Sequence, residues 1–163
     1  DGRSLEETVV HALTEKGLKL SLAESCTGGR ISSRITDVQG SSAVFTHGFI
    51  TYANQAKVAM IGVDEDHIET HGAVSEVVAK EMAEGALKHS GSDIAVSVTG
   101  IAGPTGGTKE KPVGTVWIGI SVGNGERVET SAEMKFYPNG RAVFKQLASQ
   151  AVLMKILRTV REY

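Results

Sequence analysis

The residues able to do chemistry in this 163-residue sequence are gathered in a few short stretches. Ser41-Ser42, Thr51-Tyr52 and Lys57 lie close together, and no histidine accompanies them at a motif spacing. Serine, tyrosine and lysine without a partnered histidine are the inventory of a Ser-Lys hydrolase. Such a dyad needs a neutral lysine, and a lysine desolvated among apolar neighbours loses pKa and can then take a serine proton. Val58, Ala59, Met60 and Ile61 follow Lys57 and could supply that setting. The Tyr52 hydroxyl could relay a proton or hold the lysine. The plainer alternative is a solvated Lys57.

Two glycine-rich stretches add candidate ligand contacts. Glu24-Ser25-Cys26-Thr27-Gly28-Gly29 sits where a strand should pass into a helix. Backbone N–H groups and the positive end of the helix dipole there suit a phosphate, a carboxylate or a developing oxyanion. A tight turn that needs glycine for its geometry is the competing explanation. The second stretch is Thr99-Gly100-Ile101-Ala102-Gly103-Pro104-Thr105-Gly106-Gly107-Thr108. It is neither a Walker A loop nor a G-x-G-x-x-G fingerprint. It does follow an apolar run, and ligands of open α/β sheets bind beyond the carboxyl ends of strands. Arg141, behind Pro138-Asn139-Gly140, reads either as a phosphate clamp at a helix start or as a solvated first-turn arginine. His67 and His71 are four apart with Glu69 between them, which matches neither zincin motif, so no metal is expected.

The elements that must position these residues are readable from periodicity. Leu5, Val9, Ala12 and Leu13 recur at helical spacing behind a Ser4–Glu7 capping box, and Gly17 ends the run. Leu18, Leu20 and Leu22 alternate as a strand that ends at Glu24-Ser25, and a helix begins near Ile31. Val44 to Tyr52 reads as a strand, Asn54 to Met60 as a short helix, and Ser75 to Ser90 as a longer one capped by Ser75. Ile94 to Val98 makes another strand. Val116, Ile118, Ile120 and Val122 alternate through a fourth, and Gly123-Asn124-Gly125 signals a hairpin into Arg127 to Phe136. Phe144, Leu147, Ala151, Met154 and Leu157 mark a C-terminal helix. Helices alternating with strands, then a hairpin, predict one α/β domain over 1–163 with a mixed sheet covered on both faces.

Composition narrows the class. A 40% hydrophobic, 22% charged chain with net charge −2 has the balance of a globular protein and no global pull toward nucleic acid. No apolar run approaches the ~20 residues that span a bilayer. The single cysteine, Cys26, excludes an internal disulfide and fits a reducing cytoplasm.

Taken in order, several stretches resemble the CinA C-terminal domain family, also called the nicotinamide-nucleotide amidase family. They are Ala23 to Gly29, Gly40-Ser41-Ser42, Gly48 to Tyr52, Lys57, Met60 to Val63, His71 to Glu76, Thr99 to Pro104 and Lys111 to Val116. The resemblance implies a three-layer α/β/α sandwich and hydrolysis of the carboxamide of nicotinamide mononucleotide (NMN) to nicotinate mononucleotide and ammonia, without a cofactor. It implies Ser42 as nucleophile, Lys57 as general base and Tyr52 as supporting hydroxyl; Ser25, placed in a strand-to-helix turn like a nucleophile elbow though without G-x-S-x-G, is the rival nucleophile that the residues themselves offer. Ser25, Thr27, Gly28, Gly29, Thr99, Gly100, Ala102, Gly103 and Arg141 match regions that line the ligand pocket. A homodimer is plausible from the same resemblance, with no nucleic acid or membrane partner. Longer members carry a separate N-terminal domain that this stretch lacks, so its activity is not carried over here. The other function class it suggests is a nucleotide-binding regulatory module linked to competence or DNA damage.

Overall fold

The computed structural model describes residues 1–124 and 126–163. Its five strands are β1 (Leu20–Glu24), β2 (Phe45–Ile50), β3 (Ile94–Gly100), β4 (Thr115–Asn124) and β5 (Arg127–Phe136), in the spatial order β2-β1-β3-β4-β5. β2, β1 and β3 run parallel; β4 is antiparallel to β3, and β5 to β4. The sheet is therefore mixed, as the alternation of elements predicts. Gly125 of the anticipated hairpin turn lies outside the described residues, while the strands flanking it pair in one register from Asn124↔Arg127 to Thr115↔Phe136.

Six helices cover the two faces: α1 (Leu5–Lys16), α2 (Arg30–Thr36), α3 (Asn54–Ile61), α4 (Glu65–His71), α5 (Glu76–Ser90) and α6 (Arg141–Arg161). Strand alternation explains the division. Leu20, Leu22, Val96, Val98, Ile118 and Ile120 join a large apolar cluster with α1, α2 and α6. Ala23 and Ala95 point the other way, into a smaller cluster with α3, α4 and α5. Small residues on that face let α5 approach closely. A Cβ on Gly119 would stand 2.3 Å from the Ala79 carbonyl oxygen, which instead accepts a 2.6 Å bond from Ser97 Oγ.

Helix boundaries follow local chemistry. The Ser4–Glu7 capping box forms in full, and left-handed Gly17 closes α1. Ser75 Oγ accepts the Val78 N–H at the start of α5, and left-handed glycines end α3 (Gly62) and α5 (Gly91). A short 3₁₀ turn at Ser41–Ala43, not anticipated from the sequence, precedes β2. Among the described residues no helix is long and apolar enough to cross a membrane.

Candidate active site

Parallel pairing brings the ends of three strands together. The Ser25 N–H continues the β1–β3 ladder by donating to Val98, and the Thr51 N–H continues the β1–β2 ladder by donating to Glu24. Ser25 and Thr51 thus emerge side by side at the carboxyl edge, where open α/β sheets bind ligands. The chain past Thr51 turns into α3, whose first turn carries Lys57 back over the same edge.

Lys57 is only 1% exposed. Its Nζ lies 2.9 Å from Ser25 Oγ, 2.8 Å from the Thr51 carbonyl and 3.2 Å from the Tyr52 carbonyl. Burial drives its pKa down from 10.5 to about 8, only slightly opposed by the neighbouring Cys26. A neutral lysine amine has two N–H groups and one lone pair, and its three neighbours match that inventory. As an ammonium, Nζ donates to Ser25 Oγ and to both carbonyls; once neutral, it keeps the carbonyls on its two N–H groups and leaves its lone pair to the Ser25 hydroxyl, whose proton it can accept. Of the apolar residues that follow Lys57, only Ile61 turns fully inward with it. Met60 is 43% exposed, Ala59 is exposed too, and α3 turns only Lys57 and Ile61 fully inward.

The turn that presents Ser25 is built around Glu24, a fully buried carboxylate. Thr27 Oγ1 (2.7 Å) and the Ile31 N–H (3.0 Å) donate to its Oε1; the Ser32 N–H (2.8 Å) and Oγ (2.6 Å) donate to its Oε2. A carboxylate meeting the first amides of α2 complements the helix dipole as well as its unpaired donors. Left-handed Gly28 (φ 60°) and Gly29 (φ 101°) then bend the chain into the helix. The N–H groups of Cys26 and Thr27 donate to no acceptor among the described residues. The Cys26 N–H follows Ser25 directly and lines the cavity, which is where a nucleophile turn supplies an oxyanion donor. Cys26 itself does not compete as nucleophile, because burial pushes its thiol up to about 12.

A cavity of about 380 Å³ opens over this turn. That is within the ~300–1,000 Å³ of small-molecule sites. Ser25, Lys57, Tyr52, Thr99, Gly100, Ala102, Gly103 and Arg141 line it, all expected from the sequence. Arg141 Nη1 donates to the Gly103 carbonyl (2.8 Å) and Nη2 to Tyr52 Oη (3.1 Å), so the guanidinium ties the glycine loop to the tyrosine at the cavity mouth.

Four expectations need correction. Ser42 does not meet Lys57: it lies exposed on the 3₁₀ turn before β2, whereas Lys57 follows β2. Six residues of strand, about 20 Å at ~3.3 Å each, separate the two ends, and Ser25 occupies the place beside the amine. The Tyr52 phenol is 59% exposed and held by Arg141; it is the Tyr52 main-chain carbonyl that orients Lys57. Thr27 turns inward to Glu24 instead of lining the cavity. Gly28 and Gly29 shape the turn and lie outside the lining.

Asn54, Ala73 and Val74 line the cavity without having been singled out, and Glu24 was passed over as part of the turn. The Asn54 signal was its place three residues before Lys57 at a helix start; for Ala73 and Val74 no local signal exists. His67 bonds Glu81 through Nδ1, and that carboxylate raises the histidine pKa. Among the described residues no group of three or more His, Cys, Asp or Glu side chains could hold a metal ion.

The family model for the CinA C-terminal domain matches residues 2–160. The chain belongs to the CinA C-terminal domain family. A CinA-like protein of Akkermansia muciniphila is 53% identical over 99% of this chain and 38% of its own length. The putative competence-damage inducible protein of Caldicellulosiruptor saccharolyticus is 52% identical over 100% of this chain and 39% of its own. This chain thus spans about two fifths of those relatives. Nicotinamide-nucleotide amidohydrolase PncC of Escherichia coli is 55% identical over 76% of this chain and 75% of its own length. The crystal structure of competence/damage inducible protein CihA from Agrobacterium tumefaciens superposes with a TM-score of 0.87 at 42% identity, covering 96% of this chain and 95% of that one.

Proposed function

We propose that this CinA-family domain is a Ser-Lys amidohydrolase that converts nicotinamide mononucleotide and water to nicotinate mononucleotide and ammonia. The observation that carries the reading is the enclosed Lys57 amine bonded to Ser25 Oγ at the floor of the cavity. The substrate class rests on the likeness to the Escherichia coli amidohydrolase.

Neutral Lys57 takes the Ser25 proton as Oγ attacks the carboxamide carbon. The Cys26 amide receives the oxyanion, a contribution of several kcal/mol in such sites. The Lys57 ammonium returns its proton to the departing nitrogen, which leaves as ammonia from an ester on Ser25. A water molecule then attacks that ester. Lys57 takes the water's proton and delivers it to Ser25 Oγ, releasing the nicotinate. The Thr51 and Tyr52 carbonyls hold the amine in line throughout. Arg141, at the mouth, is the cation available to the nucleotide phosphate.

The test is ammonia release from NMN by wild type, Ser25→Ala, Lys57→Met and Ser42→Ala, each checked for folding. Ser25→Ala and Lys57→Met should each lose on the order of 10³-fold or more in kcat, while Ser42→Ala stays within about twofold of wild type. Loss of turnover in Ser42→Ala with retention in Ser25→Ala would reverse the assignment. No turnover by folded wild type that still binds the nucleotide would instead favour a binding module.

A further inference from the structure

The parallel ladder between β1 and β3 stops at the edge of the cavity, with the Ser25 N–H bonded to the Val98 carbonyl. One step further, a regular ladder would return the Gly100 N–H to the Ser25 carbonyl. That carbonyl is taken instead by the Gly28 N–H (3.1 Å), because the chain has turned toward α2. Nor does β4 use the Gly100 N–H. The Ile101 N–H bonds the Thr115 carbonyl, which makes Gly100↔Val116 a non-hydrogen-bonded pair whose polar groups face β1. The Gly100 N–H therefore donates to no acceptor among the described residues, and Gly100 lines the cavity.

We infer that the Gly100 N–H is a second donor to the oxyanion formed on Ser25, beside the Cys26 N–H and opposite Lys57, an inference that rests on Ser25 as the nucleophile of the proposed amidohydrolase. The register Glu24↔Val98, extended by one, makes Thr99 the lateral neighbour of Ser25, so Gly100 comes one residue past the nucleophile on the adjacent strand. Lys57 reaches Ser25 Oγ from the β2 side, where the Thr51 and Tyr52 carbonyls hold it. Gly100 stands on the β3 side. A carboxamide carbon on Oγ can thus turn its nitrogen to the amine that must protonate it and its oxygen to the two amides. One N–H after the nucleophile and one from a neighbouring strand end make up such a hole in other strand-turn-helix hydrolases.

Other unpaired donors of the cavity wall are aimed elsewhere. Ala73 turns its carbonyl to the Thr99 hydroxyl (3.0 Å), so the Val74 N–H of the same trans peptide points away from the strand ends. Gly103 is tied to Arg141 at the mouth.

A side chain at Gly100 would be a poor probe, because its Cβ would meet Phe144 Cζ at 2.8 Å and the Thr115 carbonyl oxygen at 2.9 Å. Glycolate in place of Gly100, introduced by cell-free translation with the α-hydroxy acid, exchanges only the N–H for an ester oxygen. The matching ester at Ile101 is the control, since that N–H is spent on Thr115. With NMN the Gly100 ester should lose about 100-fold in kcat with KM within about threefold of wild type. The Ile101 ester should keep kcat within about threefold and unfold at a lower urea concentration than the Gly100 ester. A Gly100 ester with wild-type kcat overturns the inference, and so does a fall in kcat shared equally by both esters. Ser25→Ala in the same series keeps the two readings apart. Turnover by that variant overturns the nucleophile itself, whereas an inactive Ser25→Ala beside a fully active Gly100 ester overturns the second donor alone.

Discussion

Titration of Lys57 should control both rate and stability. Its pKa falls from 10.5 to about 8, a gap of about 3 kcal/mol at ~1.4 kcal/mol per pH unit. As general base it acts in its neutral form. At pH 7 about one tenth of the molecules carry that form, whereas a lysine at 10.5 would offer roughly one in 3,000. The log of kcat/KM for NMN should climb with a slope near one from pH 6.5 and level off above about 8. The window starts at 6.5 because the substrate phosphate titrates near ~6.

Folding is linked to the same proton. Below pH 8 Lys57 is charged in both folded and unfolded chains, and the cost of burying the ammonium is fully present. Between about 8 and 10.5 the unfolded chain keeps the proton that the folded one has shed, so stability rises with pH across that interval. Urea denaturation of wild type against Lys57→Met isolates this contribution. The difference should move in favour of wild type by about 2 kcal/mol between pH 7.5 and 9.5, within the ~3 kcal/mol total. A kcat/KM that is flat from pH 6.5 to 8 would refute Lys57 as the base. A stability difference independent of pH would refute its burial as an ammonium at neutral pH.

Other perturbations address the frame around the dyad. Arg141→Met should raise KM for NMN by about 10- to 100-fold with a smaller change in kcat, because Arg141 touches neither Ser25 nor Lys57; steady-state kinetics separate the two. Glu24→Gln puts an amide NH₂ among four donors and should cost about 2 kcal/mol in denaturant unfolding, with kcat falling in the same variant. Gly119→Ala drives a Cβ to 2.3 Å from the Ala79 carbonyl and should cost about 2–3 kcal/mol in the same measurement, leaving the pH profile of the surviving folded fraction unchanged.

Local signals carry most of the fold. The Ser4–Glu7 box, the alternation through β4 and the Ser75 cap each state their element within a few residues, and the structure realises them. The choice between serines is different in kind. Ser42 is nearer to Lys57 in sequence, yet a strand lies between them; Ser25 is farther, yet it ends a parallel neighbour of that strand. The register Leu20↔Phe45 through Glu24↔Ile50 decides the matter, and no short window contains it. Strand order alone would have pointed the right way, since two parallel strands deliver their following residues to the same edge. Burial of Lys57 is likewise not legible from its run of apolar chain neighbours, because Ile61 turns inward while Ala59 and Met60 face out, and burial of a helical residue depends on which face the helix turns to the body.

That face has a further meaning for α3. Lys57 and Ile61 are its only fully buried side chains, so the helix is fastened to the protein partly by its reactive amine. Anchor and reagent are one residue. Any change that loosens α3 admits water to the amine, lets its proton affinity climb back toward that of a free lysine, and silences it at neutral pH while the rest of the chain stays folded. Mutational drift on this small helix is therefore filtered through activity well before it threatens the fold.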